Sequence, residues 1–180
     1  MNVLVLVGSL RPDSLNRRFA RAAAAELPPG VEARFFDRLP ELPRYDQTLD
    51  VHPAPAVVAE LREAVLAADA LLVVTPEYNG APSGLIKDAI DWVSRPRGEP
   101  AIAGKRTAVL AATMAPRGAV WAREMTARSL TVAGAVVLAE TVGLATAHEG
   151  LDGDTIVDDT TRAAVTALLA DLVEADALVA

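Results

Sequence analysis

Short runs of branched apolar residues, each followed by a longer amphipathic segment, repeat along this chain, and that alternation restricts it to strand-helix units around a parallel sheet. "NVLVLVG" lacks polar-apolar alternation, as expected of a first strand buried on both faces. "SLNRRFARAAAAEL" follows as a helix closed by "PPG", and "VEARFFD" reads as the second strand. "APAVVAELREAVLAAD" has apolar residues three and four apart and leads into a third strand at "ALLVVTPEYN". "SGLIKDAIDWVSR" is the third helix, "RTAVLAAT" the fourth strand, "AVWAREMTARSLTVAG" a further helix and "AVVLAETVGL" the fifth strand. "DDTTRAAVTALLADLVEADALVA" closes the chain as a helix whose acidic first turn suits the positive end of its dipole. Between the second strand and its helix lies "RLPELPRYDQTLDVHPAP", whose four prolines predict a long irregular surface loop.

A length of 180 residues without a linker or an internal repeat fits one domain, 1–180. Five strands with right-handed crossovers predict an α/β three-layer sandwich around a five-stranded parallel sheet. The flavodoxin-like order 2-1-3-4-5 has its switch point between the first and third strands, where ligands bind outside the carboxyl ends. The loops after those two strands are also where the unusual chemistry concentrates.

Composition narrows the function. The chain has no cysteine, which removes disulfides, thiolate metal sites and thiol nucleophiles, so redox chemistry requires a cofactor. A formal charge of −7 with no basic cluster argues against nucleic acid and against an anionic membrane. No apolar run reaches membrane-spanning length, and no signal-type segment opens the sequence, so a cytoplasmic location is expected. His52 and His148 are isolated, without metal-ligand spacing, and no Ser-His-Asp set or G-x-S-x-G motif is present.

After the first strand, "GSLRPDSLN" matches neither the Walker loop nor the dinucleotide fingerprint. It offers Ser9, Arg11, Ser14, Asn16 and the free amides of a helix N-terminus, a donor set suited to a phosphate monoester. The same residues also suit a plain helix cap at Asp13 or Ser14 beside a solvated Arg11. Asp13 is expected to face away from any phosphate, and Arg17 and Arg18 to be solvated. After the third strand, "PEYNG" gathers an aromatic, an amide and a glycine in a tight loop, with Tyr78 able to cover a ring face; an ordinary turn at Asn79-Gly80 is the competing reading. Ser83 is a candidate cap for the third helix, and Trp92 is either core or subunit contact.

In order and spacing, "GSLRPDSLNRRFA", "LPELPRYDQTLD", "PEYNGAPSGLIKDAIDWVSRP" and "AGKRTAVLAAT" resemble the NAD(P)H-dependent FMN reductase family, whose relatives include quinone, chromate and azo-dye reductases. The resemblance extends to about residue 113. It implies non-covalent FMN, NADPH or NADH as co-substrate, a small-molecule electron acceptor, and a homodimer or homotetramer with sites near subunit boundaries. It places phosphate binding on Ser9, Arg11, Ser14 and Asn16, and flavin contact on Pro76, Glu77, Tyr78, Asn79 and Gly80, with the Glu77 side chain pairing elsewhere. No catalytic side chain is implied, because the flavin mediates hydride transfer. Thr113 opens the third flavin wall, where similar chains carry S-x-G-x-x-G-G; here "TMAPRGA" retains Gly118 alone. Arg117 in that loop is a solvated residue or a contact for the extra phosphate of NADPH. A flavodoxin-like electron carrier without reductase turnover, and a partner-binding protein lacking FMN, are the alternative readings.

Overall fold

The computed structural model describes residues 1–174. In chain order the elements are β1 (Asn2–Val7), α1 (Leu15–Ala25), β2 (Glu32–Phe35), α2 (Ala56–Ala67), β3 (Ala70–Val74), β4 (Glu77–Tyr78), β5 (Ala81–Pro82), α3 (Gly84–Val93), β6 (Arg106–Ala112), α4 (Val120–Ala133), β7 (Val136–Val137), β8 (Val142–Leu144), α5 (Ala147–Gly150), β9 (Leu151–Asp152), β10 (Thr155–Ile156) and α6 (Asp159–Val173). The closing helix therefore ends at Val173, and the part of that expectation at 175–180 lies outside the described residues.

The main sheet is parallel and ordered β2-β1-β3-β6, with β7 and β8 both beside β6. This is the expected 2-1-3-4-5 order with the fifth strand in two pieces. Arg106 faces Val136 while Leu110 faces Val142, so the fifth strand carries extra residues that leave the ladder between these points. Arg123 of α4 meets the chain at this break, its Nη1 donating to the Thr141 carbonyl at 2.7 Å.

Alternate residues of the central strands enter opposite cores, because successive side chains leave a strand on opposite faces. Val3, Val5 and Val7 pack with Phe19 of α1 and with Val165, Leu168 and Leu169 of α6. Leu4 and Leu6 pack with α2, α3 and α4 through Leu61, Ile86, Ile90 and Leu130. These two cores make three layers. Among the described residues no helix is long and apolar enough to cross a membrane.

The proline-rich loop contains two single turns of 3-10 helix, Leu39–Glu41 and Gln47–Leu49, where no regular structure was expected. Trp92 anchors it. The indole is fully buried, its Nε1 donates to the Pro43 carbonyl at 2.8 Å, and the Tyr45 ring meets it edge-on at 5.0 Å. Trp92 is thus core within the chain, and it fixes the loop beside the carboxyl end of β1.

Arg17 and Arg18 also do more than face solvent. Arg17 pairs with Asp37 at 2.8 Å, and Arg18 donates from Nε to the Gly153 carbonyl at 2.7 Å, holding the β9–β10 hairpin against α1. The turn of that hairpin lies in "LDGDT", whose Gly-Asp dipeptide is a tight-turn signal.

Candidate functional site

At the carboxyl end of β1 the chain turns at Gly8, which must lack a side chain: a Cβ there would stand 2.5 Å from Ile86 Cγ1 and 2.6 Å from Ser83 Oγ of the neighbouring helix start. The chain then runs over the sheet edge to Ser14, the N-cap of α1, whose hydroxyl accepts from the Asn16 amide at 3.2 Å. Ser9, Ser14 and Asn16 are buried, whereas the Arg11 side chain is 74% exposed and reaches only Asp13, at 3.9 Å. Asp13 is itself exposed and outward. The backbone N–H groups of Ser9, Leu10, Arg11 and Asp13 meet no acceptor among the described residues. A concentration of free donors around a helix N-terminus is a physical anion cradle.

Asn16 has a second task. Its Nδ2 donates to the Ala112 carbonyl at 2.8 Å and its Oδ1 accepts from the Ala112 N–H at 2.8 Å, so one amide satisfies both backbone groups at the end of β6. The first turn of α1 is clamped to the central sheet. This role was not legible in the sequence.

At the end of β3, Pro76 leads into the β4–β5 hairpin, in which Glu77 faces Pro82 and Tyr78 faces Ala81. Asn79 and Gly80 form its two-residue turn with φ of 53° and 75°, the twist that a tight hairpin requires. The ordinary-turn reading of Asn79-Gly80 therefore describes their backbone, and the dipeptide itself was the signal for a hairpin. Tyr78 projects outward, 57% exposed. Ser83 caps α3, accepting from the Ile86 amide.

The Glu77 carboxylate turns away from the cleft and accepts from the Ala122 N–H at 3.0 Å, in the first turn of α4. It acts as a cap supplied from another element, because Ala119, the residue at the N-cap position, has a left-handed backbone and no side-chain acceptor. Next to it, the half-buried Arg123 guanidinium binds the Gly118 carbonyl at 2.9 Å as well as Thr141. Burial lowers the Arg123 pKa, and the charges of Glu124 and Glu77 oppose that shift. Thr113 Oγ1 accepts from the Ala115 amide at 3.1 Å, bending the start of this wall.

One cavity of about 180 Å³ brings together Ser9, Arg11, Ser14 and Asn16 from the first corner, Pro76, Glu77 and Tyr78 from the second, and Thr113 with Met114 from the third. Of the ten residues singled out in the sequence, only Asn79 and Gly80 do not line it. A second cavity of about 570 Å³ shares Ser9, Arg11 and Tyr78 and continues towards Gly8, Ser83 and Asp88. Its far wall is Pro40, Leu42 and Arg44 of the proline-rich loop, residues the sequence reading did not single out individually. Together the cavities form a cleft outside the carboxyl ends of the paired strands β1 and β3, where the strand order reverses. No cluster of three or more histidine, aspartate or glutamate side chains suited to a metal ion occurs among the described residues.

The model of the NADPH-dependent FMN reductase family matches residues 1–149. The chain belongs to this family. Membership makes it an NAD(P)H-dependent flavin oxidoreductase with FMN as its cofactor. Relatives within the family include a quinone reductase of Pseudomonas putida, 39% identical over 129 residues that make up 72% of this chain and 69% of that protein. A 2-hydroxy-1,4-benzoquinone reductase of Burkholderia sp is 38% identical over 66% of this chain and 63% of its own length. Among solved structures, the flavoenzyme NAD(P)H:(acceptor) oxidoreductase FerB of Paracoccus denitrificans superposes with a TM-score of 0.86 at 31% identity, covering 96% of this chain and 95% of that one. An archaeal flavodoxin shares the fold at a TM-score of 0.60 and 14% identity. The family match runs through the altered wall after β6 and reaches α5, well past the residues whose spacing carried the resemblance in the sequence.

Proposed function

We propose that this cleft holds FMN and that the chain passes two electrons from NADH or NADPH to a small quinone-type acceptor. The observation carrying this reading is the convergence of a phosphate-type donor cradle and an exposed aromatic on one cleft at the point where the strand order reverses. The residues present fit the cofactor: the unsatisfied amides at 9–13, the hydroxyls of Ser9 and Ser14 and the Arg11 guanidinium suit a phosphate monoester. Pro76, Tyr78 and Thr113 wall the space beside it for a flat ring system. Asn16, Glu77, Asn79 and Gly80 serve by position: Asn16 fixes the cradle to β6, Glu77 ties the hairpin to α4, and the Asn79-Gly80 turn sets the direction of Tyr78. Bound FMN would supply hydride acceptance from nicotinamide and electron return to the acceptor; the hydride transfer itself needs no side-chain acid or base, and solvent supplies the proton that completes the reduced quinone.

The acceptor class follows the quinone reductases among the relatives. We extend the same reading to a single FMN-binding domain over 1–180, supported by the packing of α6 on the core shared by β1 and β3. A cytoplasmic homodimer or homotetramer belongs to the proposal too; the exposed apolar strip of Met125, Val132 and Val136 supports the self-association. Sedimentation equilibrium at micromolar concentration tests it, and a monomer removes that part.

Anaerobic addition of NADH or NADPH to the FMN-loaded protein is expected to bleach the flavin bands rapidly. Persistence of the oxidised spectrum assigns the chain to electron carriage instead, and failure to take up FMN removes the cleft assignment. Arg11→Ala is expected to weaken FMN binding by about tenfold or more, the value of a lost charge-assisted contact. Its melting temperature should hold, because the wild-type side chain packs against nothing but solvent and Asp13. Titration of the apoprotein with FMN, followed by flavin fluorescence, checks the affinity, and a thermal melt of the apoprotein checks the stability.

A further inference from the structure

Arg117 sits in the wall that departs from the family pattern, and its charge has no acidic partner among the described residues. Its guanidinium instead lies 5.1 Å from the centre of the Trp121 ring. Stacking on an aromatic face leaves the edgewise N–H groups of an arginine free to bind an anion while limiting the directions they can point.

The position of this pair is fixed by its neighbours. A Cβ on Gly80 would stand 3.6 Å from the Trp121 ring, so the tip of the β4–β5 hairpin rests against the indole. Tyr78 on that hairpin lines the cleft, as does Met114, three residues before Arg117. Leu10, Tyr78, Met114 and Trp121 are each more than half exposed; the first three line the cleft, and Trp121 stands against the hairpin tip beside it. The Glu77 carboxylate on the same hairpin is committed to the Ala122 N–H, and neither it nor Glu124 forms an ion pair with Arg117. In a chain of net charge −7, a free guanidinium on an aromatic rim gives an anionic aromatic molecule a local point of attraction that the whole-protein field does not.

We propose that Trp121 and Arg117 form an acceptor subsite selecting flat aromatic oxidants that carry an anionic substituent, such as a sulfonate or an ionised hydroxyl. The proposal rests on the reading of the cleft as the oxidoreductase site and specifies which acceptors enter it. The pair binds and orients the acceptor: the ring lies against the rim and the anionic group pairs with Arg117.

The test uses FMN-loaded protein without nicotinamide and two probes, 1,4-naphthoquinone-2-sulfonate and unsubstituted 1,4-naphthoquinone, with binding read from tryptophan fluorescence. Trp121 is the accessible reporter, since Trp92 is fully buried. The wild-type protein is expected to bind the sulfonate about fivefold or more tightly than the neutral quinone, consistent with one charge-assisted contact at an exposed site. Arg117→Ala should bring the ratio close to one, Arg117→Lys should leave an intermediate ratio, and salt at about 0.5 M should erase the preference. Equal affinities in the wild type, or a preference that survives Arg117→Ala, overturns the proposal. The flavin content of the same samples is read separately from the visible spectrum, so loss of FMN counts against the cleft assignment while the quenching ratio still judges Arg117.

Discussion

Replacing Asn16 by leucine is expected to destabilise the protein by about 2 to 5 kcal/mol, because it strands a buried N–H and a buried carbonyl together. Both groups belong to Ala112, at the end of a central strand, and both are satisfied by the one amide at 2.8 Å. Water cannot replace it readily, since Asn16 and Ala112 are each almost completely buried. For a chain of this length such a loss lowers the melting temperature by roughly 5 to 15 °C. Asn16→Asp separates the two bonds. An aspartate can still accept from the Ala112 N–H, but when ionised it presents oxygen to the Ala112 carbonyl. Burial and that carbonyl both raise its pKa in the folded state, so the variant's stability is retained at low pH and lost as pH rises through the raised value. Asn16→Leu has no such dependence at this position. Thermal melts of the two variants across pH 4 to pH 8 would show it, and parallel profiles would remove the assigned role.

Gly143→Ala is expected to cost about 3 kcal/mol or more, at or beyond the upper end for overpacking, because the neighbours are backbone. A Cβ at Gly143 would overlap the Gly118 carbonyl oxygen and stand 2.7 Å from Arg123 Nε. Relief requires the segment at 113–119 to move outward, which also pulls Gly118 from its bond to Arg123. Two effects should therefore appear together: a lower melting temperature and weaker FMN retention, since Thr113 and Met114 of the same segment line the cleft. A variant that melts normally and keeps its flavin shows that the wall is not seated against the fifth strand as described.

Much of this architecture was readable because the relevant forces are local. Short apolar runs bounded by turn residues read as strands buried on two faces, and the caps at Ser14 and Ser83 announce their helices by side-chain chemistry. The gathering of Ser9, Arg11 and Ser14 with Pro76, Tyr78 and Thr113 was inferable from topology, since 2-1-3-4-5 order brings those loops to one edge. Pairings between distant segments were not readable. Asn16 meets Ala112, and Glu77 meets Ala122, through geometry that no nearby residue signals. The break in the fifth strand is of the same kind: "AVVLAETVGL" reads as one strand, while at Thr141 its carbonyl meets Arg123 of a distant helix. Asn79-Gly80 is legible as a tight turn because its dipeptide favours positive φ at both positions.

The left-handed backbone at Gly118 and Ala119, braced by Arg123 from one side and by Glu77 from the other, bears on binding kinetics. A glycine-rich wall is ordered by its ligand, and each association event must collect it from many conformers. Here the conformational entropy of the wall is lost during folding, before any ligand arrives. Association at this cleft is therefore expected to proceed at the rate of encounter and orientation, without a slow ordering phase, and affinity differences among ligands should appear in their residence times.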